Sequence, residues 1–146
     1  MEQTEDEGYH KLDHQLCFPL YAASRLVTKC YQPVLDELGL TYPQYLVLMV
    51  LWESDAVNLS RLSERLKLQS NTLTPLLKRM EELGLLTRQR SKQDERSIII
   101  ALTEKGKSLK SEVPRLQQQL MDIGISKEEA IQLKGLLTKM INYISG

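Results

Sequence analysis

The chain has 146 residues, 42% of them hydrophobic and 26% charged, which is typical of one folded domain large enough to bury a core. Its two cysteines are too few for a disulfide-stabilised scaffold, and no apolar run reaches the ~20 residues that span a bilayer. Nineteen basic residues balance nineteen acidic ones, and the polar N-terminus has no secretion signal, so we expect a cytoplasmic protein without membrane contact.

The N-terminal part of the chain predicts a tail followed by a long helix. Residues 1–10 lack apolar periodicity and are expected to form a flexible tail. Apolar side chains at helical spacing then predict a helix over about 13–38, which Gly39 would end. Pro19 and Pro33 lie inside this helix, and each removes a backbone hydrogen bond, so we expect a kink or a division.

The middle of the chain predicts a helix-turn-helix unit. A second helix should begin at Pro43 and is apolar nearly all round, as in a helix at the centre of a fold. Asn58 suits the cap of a third helix that ends near Leu66. Ser70 suits the cap of a fourth helix, and Gly84 suits its end.

A β hairpin and two further helices are predicted after this unit. Strands over about 85–90 and 96–102 are joined by a charged turn and form a wing. Thr103 should start a fifth helix, and Ser126 with Glu129 has the spacing of a capping box that opens a sixth. The expected fold is mainly α with a small β wing, namely a winged helix-turn-helix of about six helices and two strands.

The two ends of the chain predict an interface between copies. The helices within 11–40 and 103–146 are rich in apolar positions, yet little sequence remains in one chain to cover them. Pairing with the same helices of a second copy would bury both, so we expect an isologous homodimer. Residues 11–146 then form a single domain, in which 43–102 is the winged helix-turn-helix.

The fourth predicted helix has the residue pattern of a DNA-reading helix. Its apolar residues recur at helical spacing, which leaves an opposite face of short polar side chains followed by basic ones. Hydroxyl and amide groups at the N-terminal end suit base edges, and the basic groups further along suit phosphates. This face comprises Ser70, Asn71, Thr72, Pro75, Lys78 and Arg79.

The predicted hairpin adds a second set of contacts. Arg88 and Arg90 alternate on one face of the first strand, and Arg96 near the turn would fit a narrow minor groove, where negative potential is enhanced. Asp94 is expected to hold the Arg96 guanidinium in place. Residues 58–106 carry ten basic against six acidic residues, which favours double-stranded DNA as a partner over a charged hairpin that binds nothing.

A set of motifs extends over residues 12–106 in a specific order. They are Gln15-Leu-Cys-Phe18, Leu20-Tyr-Ala22, Leu40-Thr-Tyr-Pro-Gln-Tyr-Leu46, Thr72-Leu-Thr-Pro-Leu-Leu-Lys-Arg79 and Asp94-Glu-Arg96. This set closely resembles the MarR family of transcriptional regulators, and within it the organic hydroperoxide resistance repressors. The resemblance implies six helices and a two-stranded wing in each subunit, with a dimer built from the terminal helices. Gln69-Ser-Asn-Thr72 replaces the family's usual Asp-Ser-Gly-Thr, which leaves the preferred operator sequence open.

The resemblance also assigns Cys17 as a thiol that organic hydroperoxides oxidise, with Tyr31 and Tyr42 as its hydroxyl partners. No cysteine follows Cys30, which implies the one-cysteine type, in which a small cellular thiol caps the oxidised sulfur. Cys17 and Tyr31 are fourteen residues apart, about 21 Å along a straight helix. Their contact therefore needs a kink or the antiparallel helix of a second subunit.

We therefore expect a repressor that releases a pseudo-palindromic operator when Cys17 is oxidised. The alternative keeps the DNA-binding dimer but replaces the thiol switch with a small aromatic effector bound between the helices. The sequence has no catalytic constellation of His and Asp and no cofactor loop, so neither an enzyme nor a cofactor is expected. A zinc site at His10, His14 and Cys17 is a further alternative, although three ligands would leave the coordination incomplete.

Overall fold

The computed structural model describes residues 8–146, which fold into eight α-helices and three short β-strands. They are α1 (Cys17–Lys29), α2 (Gln32–Leu38), α3 (Tyr42–Glu53), β1 (Val57–Asn58), α4 (Leu59–Leu66), α5 (Ser70–Glu82), β2 (Leu86–Arg90), β3 (Ile98–Leu102), α6 (Glu104–Ser108), α7 (Val113–Gln118) and α8 (Lys127–Ser145). Short 3-10 turns lie at Leu12–His14 and Leu109–Glu112. The predicted flexible tail falls largely on residues 1–7, which lie outside the described residues, while residues 8–10 form a turn.

The long helix predicted over 13–38 is divided into α1 and α2. Cys30 and Tyr31 keep helical backbone angles, but their N–H groups bond three residues back in a tightened turn. Pro33 explains the division, because it lies in the first turn of α2 and has no N–H with which to continue α1. Since both linking residues remain helical, this turn does not fold α2 back along α1.

Local signals set the ends of the next elements. Pro19 lies in the first turn of α1, where its missing N–H costs no helix bond. Gly39, with a φ of 69°, ends α2 as predicted. Helix α3 begins at Tyr42, one residue before the predicted start, because Thr41 and Gln44 form a capping box that satisfies its first N–H groups.

Helix α3 runs through the centre of the hydrophobic core, in agreement with its nearly continuous apolar sequence. It contacts α4 and α5, the two helices of the helix-turn-helix unit. The fully buried side chains that surround it come from elements spread over most of the chain. They include Leu35, Leu62, Leu73, Leu77, Met80, Ile100 and Leu116.

The sheet has three antiparallel strands in the order β1-β3-β2, where two were predicted. The predicted hairpin is confirmed as β2 and β3, which pair from Leu86 with Leu102 to Arg90 with Ile98. The additional strand, β1, is held beside β3 by Asp55, whose carboxylate accepts hydrogen bonds from the backbone of Ala56 and of Leu102. Two residues are too short for a pattern of alternation, so the sequence gives no sign of β1.

The terminal helices have no buried residue in the single chain. This holds for α1 and for α8, which begins with the predicted capping box of Ser126 and Glu129. The predicted fifth helix is capped by Thr103 as expected but is divided into α6, a 3-10 turn and α7, where Pro114 occupies the first turn. Within residues 8–146, none of the helices is both long and apolar enough to cross a membrane.

Candidate nucleic-acid interface and cysteine site

Helix α5 has one buried and one exposed face, which are the faces that its sequence predicts. Leu73, Leu77 and Met80 are buried in the core. The six polar, proline and basic side chains predicted to face DNA are all exposed. They are Ser70, Asn71, Thr72, Pro75, Lys78 and Arg79. The structure therefore brings the predicted reading residues together on one accessible surface.

The N-terminal end of α5 differs in one respect from the prediction. Ser70 is the first residue of the helix and not its cap; the cap position belongs to Gln69, whose side chain accepts no helix N–H. Pro75 lies inside the helix and has no N–H, so the helix bond that the Asn71 carbonyl would otherwise accept is not made. The first N–H groups of α5 and the Asn71 carbonyl therefore have no helix partner, and they lie at the same end of α5 as the exposed polar side chains.

Helix α4 supports α5 as the first helix of the pair. Asn58 caps α4 as predicted, since its side chain accepts the Arg61 N–H at 2.7 Å. Leu62 on α4 is fully buried against the core. Lys67 then takes a left-handed conformation with a φ of 55°, which turns the chain into α5 within a few residues.

The two arginines on β2 are in different environments, although they lie on the same face of the strand. Arg88 is half-buried, and its guanidinium Nη2 donates to Glu81 Oε1 on α5 at 3.3 Å. Arg90 is exposed, and its Nη1 donates to the Glu95 carbonyl across the hairpin at 2.8 Å. Of the two, Arg90 is the one whose side chain lies on the accessible part of the wing.

At the wing tip, Asp94 contacts the backbone and not the expected guanidinium. Its Oδ1 accepts the Arg96 backbone N–H at 3.0 Å, and its carbonyl accepts the Ser97 N–H at 2.9 Å. Among the ion pairs of residues 8–146, none involves the Arg96 guanidinium. Asp94 therefore shapes the turn, and Arg96 presents an exposed cation at its end.

Cys17 is exposed at the start of α1. It is the first helical residue, and the preceding Leu16 provides no side-chain cap. Phe18 and Leu16 beside it are also exposed, at 40% and 66% of their surface. The thiol therefore lies at the N-terminal end of a helix, within an apolar surface that the single chain does not cover.

Tyr31 and Tyr42, the two predicted hydroxyl partners of the thiol, lie against each other. Their rings are stacked with centroids 5.5 Å apart, and Tyr45 lies 5.8 Å from the first and 6.2 Å from the second. Burial raises the pKa of Tyr31 to about 12, with further contributions from Tyr42, Tyr45 and Cys30, against a hydrogen bond to Gln117 that lowers it. Burial, followed by the neighbouring Tyr45, also raises the pKa of Tyr42. Both hydroxyls therefore stay protonated at neutral pH and can donate hydrogen bonds.

One chain keeps Cys17 away from this tyrosine pair. The whole length of α1 separates the thiol from Tyr31, and the turn that follows does not reverse the chain. The structure therefore brings the two tyrosine rings together but does not bring them to the thiol of the same chain.

A cavity of about 660 Å³ lies between α3, α4 and the segment around α7, apart from the tyrosine pair. Its walls are mainly apolar, with Leu46, Met49, Trp52 and Val113 among them. Charged side chains also line it, namely Arg65 and Glu53, which pair at 2.7 Å, and Lys110. No group of three or more potential metal ligands occurs among residues 8–146, so the alternative of a zinc site at His10, His14 and Cys17 receives no support.

Two structural links have no counterpart in the sequence-based predictions. Glu81 connects α5 to β2 through Arg88, and Trp52 donates to the Gly106 carbonyl. Both join residues on different elements, and neither has a local signal, because an acidic residue on a helix or a tryptophan in an apolar run has many alternative environments.

Comparisons with known proteins agree on one class of protein. Residues 29–113 match the family described as transcriptional regulator SarA/Rot. The organic hydroperoxide resistance transcriptional regulator of Bacillus subtilis (strain 168) is 51% identical over 134 residues, which are 92% of this chain and 90% of that protein.

Solved structures of AbfR from Staphylococcus epidermidis share the fold. Reduced AbfR bound to DNA has a TM-score of 0.80 at 35% identity, covering 92% of this chain and 95% of that chain. AbfR with its disulfide formed has a TM-score of 0.67 at 38% identity, and the match covers 92% of this chain and 93% of that chain.

Proposed function

Because this chain belongs to the MarR family of winged-helix transcriptional regulators, and within it to the organic hydroperoxide resistance regulators, we propose that it is a repressor released by oxidation of Cys17. The relatives are transcriptional regulators, so the chain is a DNA-binding regulator and not an enzyme. The proposal concerns what this regulator senses, how it is assembled and which residues contact DNA.

One observation carries the proposal: the thiol and its two expected hydroxyl donors lie apart in a chain whose helices α1 and α8 have no buried residue. Apolar side chains on these helices are exposed, among them Leu16, Leu26, Leu136 and Ile144. A second copy that covers them would form the expected isologous homodimer. An antiparallel arrangement would place Cys17 of one copy beside Tyr31 and Tyr42 of the other.

The chemistry proposed for this site is a two-electron oxidation. The Cys17 thiolate attacks the terminal oxygen of an organic hydroperoxide, an S–O bond forms, and the O–O bond breaks. The alkoxide leaves with a proton as an alcohol, and sulfur becomes a sulfenic acid. A small cellular thiol then displaces the hydroxyl as water and forms a mixed disulfide. In the reduced dimer, the two neutral tyrosine hydroxyls would donate hydrogen bonds to the negative sulfur at the helix N-terminus. The neutral sulfenic acid and the mixed disulfide would lose these charge-assisted contacts.

In this proposal, DNA is released because oxidation changes the spacing between the two reading helices of the dimer. The exposed face of α5 reads the major groove, and the wing, with Arg90 and Arg96, lies along the minor groove. A dimer reads two half-sites about 34 Å apart, which corresponds to a pseudo-palindromic operator. Loss of the tyrosine contacts and a larger group on sulfur would shift the helices of the interface, and the two reading helices would no longer match this spacing.

The test compares DNA binding of reduced protein with and without cumene hydroperoxide, with a low-molecular-weight thiol present. The duplex is the promoter region that the wild-type protein protects in a footprint. We expect peroxide to release wild type and Cys30→Ser but not Cys17→Ser. Cys30→Ser is the matched control, since its thiol is half-buried and donates weakly to the Leu26 carbonyl at 3.5 Å. Release of the Cys17→Ser protein would contradict the proposal.

The cavity between α3, α4 and α7 favours one alternative, in which a small aromatic effector causes release. An aromatic acid would fit apolar walls that include a cation, and Lys110 is not among the ion-paired residues of 8–146. Release of DNA by benzoate from both wild type and Cys17→Ser, but not from Lys110→Met, would select this alternative. Peroxide would then have no effect on either protein.

A further inference from the structure

Glu81 joins the reading helix to the wing through two hydrogen bonds. Its Oε2 accepts the backbone N–H of Arg88 at 2.8 Å, and its Oε1 accepts the guanidinium Nη2 of the same residue at 3.3 Å. Glu81 lies in the last turns of α5, and Arg88 is the middle residue of β2. One carboxylate therefore fixes both the backbone and the side chain of the strand that begins the wing.

The position of β2 in the sheet explains why this carboxylate matters. The strand order is β1-β3-β2, so β2 is an edge strand, and N–H groups on its outer side have no strand partner. The Arg88 N–H is one of these, and Glu81 accepts it in place of a neighbouring strand. The Arg88 Nε is buried without an acceptor. Among the described residues, Glu81 is the only charged partner of this guanidinium.

The connection continues from β2 to the wing tip. Arg90 lies two residues beyond Arg88 on the same strand face, and its guanidinium bridges the hairpin to the Glu95 carbonyl. Asp94 then holds the backbone of Arg96. The tip is thus tied to β2, and β2 is tied to α5 at Glu81, so the position of Arg96 relative to α5 depends on this carboxylate.

We propose that Glu81 is a positioning residue for DNA recognition: it sets the wing against the reading helix so that Arg96 reaches the minor groove while α5 lies in the major groove. The inference rests on the proposed contact between wing and DNA. Glu81 itself contacts no DNA in this account, since a carboxylate beside phosphates would be repelled. Its effect is on the geometry that lets two elements bind one duplex together.

The chain provides a matched control in the neighbouring residue. Glu82 also pairs with an arginine, Arg79, at 3.5 Å. This pair lies within one helix, and both of its side chains are exposed, Arg79 at 64% and Glu82 at 53%. The side chain of Arg88 is only 24% exposed. Removing Glu82 therefore changes the same charge without releasing the wing.

The experiment measures the affinity of reduced protein for two duplexes. The first is the promoter duplex protected by wild type, and the second has G·C pairs in place of the A·T pairs that flank each half-site under the wing. We expect Glu81→Ala to bind the first duplex about tenfold more weakly, comparable to the loss of one specific base contact. Its preference for A·T flanks should fall to near one. Glu81→Gln keeps an acceptor for the Arg88 N–H and should restore part of the affinity and part of the flank preference. Glu82→Ala frees Arg79, a proposed phosphate contact that acts equally on both duplexes, so its preference for A·T flanks should match that of wild type.

Arg96→Ala separates this inference from the proposal on which it rests. If Arg96→Ala keeps the flank preference of wild type, the wing does not read the flanks, and the proposed DNA contact is wrong. If Arg96→Ala loses the preference while Glu81→Ala and Glu81→Gln keep it, Glu81 has no positioning role. Equal weakening on both duplexes by the Glu81 variants would indicate general destabilisation and would also overturn the inference. If Glu81→Ala does not fold, the flank preference of Glu81→Gln carries the test. Thermal unfolding of Glu81→Gln, expected to match wild type, shows that this variant is folded.

Discussion

The indole N–H of Trp52 donates to the backbone carbonyl of Gly106 at 3.0 Å, joining the end of α3 to α6 across 54 residues. The backbone of Leu85 packs closely against the other side of Gly106, because a Cβ added there would clash with the Leu85 carbonyl oxygen. Leu85 is in the segment that links the reading helix to the wing. The Trp52 ring also contacts Tyr45, which contacts Tyr31 and Tyr42, the proposed hydroxyl partners of the Cys17 thiol. Continuous packing therefore connects this tyrosine pair with the start of the wing.

Replacing Trp52 with Phe should lower the free energy of unfolding by about 1 kcal/mol, the usual net contribution of one hydrogen bond. The ring contact with Tyr45 is retained in part, whereas the N–H donor is lost. Urea unfolding followed by circular dichroism measures the change, since Trp52 is the chain's single tryptophan and its fluorescence is absent from the variant. An unchanged midpoint would show that the bond to Gly106 contributes nothing to stability.

Replacing Gly106 with Ala should cost more, roughly 1–3 kcal/mol, because the added methyl group meets a backbone oxygen that cannot move without shifting the wing. Gly135→Ala is the control. Gly135 lies within α8, and a Cβ added there would have no neighbouring atom within 4 Å, so alanine should be neutral or stabilise the helix by about 0.5–1 kcal/mol. Equal effects of the two substitutions on the unfolding midpoint would contradict the close approach at Gly106.

Features of the fold that depend on local sequence signals are predicted correctly, whereas contacts between distant residues are not. Caps at Asn58, Thr103 and Ser126 are predicted correctly, because a capping signal is contained in a few consecutive residues. The faces of α5 follow from helical spacing in the same way. The bond from Trp52 to Gly106, the two-residue strand β1 and the pairing of Glu81 with Arg88 depend on residues that only the tertiary fold brings together. Pro33 predicts either a kink or a division, and only the neighbouring hydrogen bonds distinguish the two.

Stability at alkaline pH should depend on Tyr31. Its pKa is raised to about 12 in the folded chain, whereas an unfolded chain has a tyrosine pKa near 10. Between these values the unfolded state releases the proton and the folded state keeps it, so the free energy of unfolding falls as pH rises from about 10 to 12. The contribution is fully present below about pH 10. Tyr31→Phe should show a smaller decrease than wild type in urea unfolding between about pH 8 and pH 11, and Tyr9→Phe, at an exposed ring, serves as the control.

Oxidation should change the emission of Trp52 if the proposed switch acts through the tyrosine pair. The indole contacts Tyr45 at 6.2 Å between centroids, so movement of the tyrosines alters its surroundings. Adding cumene hydroperoxide to wild type should shift the emission maximum or intensity, while Cys17→Ser should give a constant spectrum. The same spectral change in both proteins would mean that the signal does not originate at Cys17.

The oligomeric state should depend on the apolar face of α8. Leu133 lies on this face and is 47% exposed in the single chain, whereas Asn142 lies on the opposite side of the helix. Leu133→Glu should place charge in the proposed interface and shift the mass measured by light scattering towards that of one chain. Asn142→Glu introduces the same charge outside the interface and should leave the mass unchanged. A dimer that persists in Leu133→Glu would exclude this face of α8.

The separation of Cys17 from Tyr31 along one chain has a genetic consequence. If each sensor combines a thiol from one subunit with hydroxyls from the other, a Cys17→Ser allele and a Tyr31→Phe allele damage complementary halves. In a mixed dimer of these two chains, one sensor lacks both groups and the other is whole. A cell that expresses both alleles should then regain part of the peroxide response that neither allele gives alone, which is complementation within a single gene.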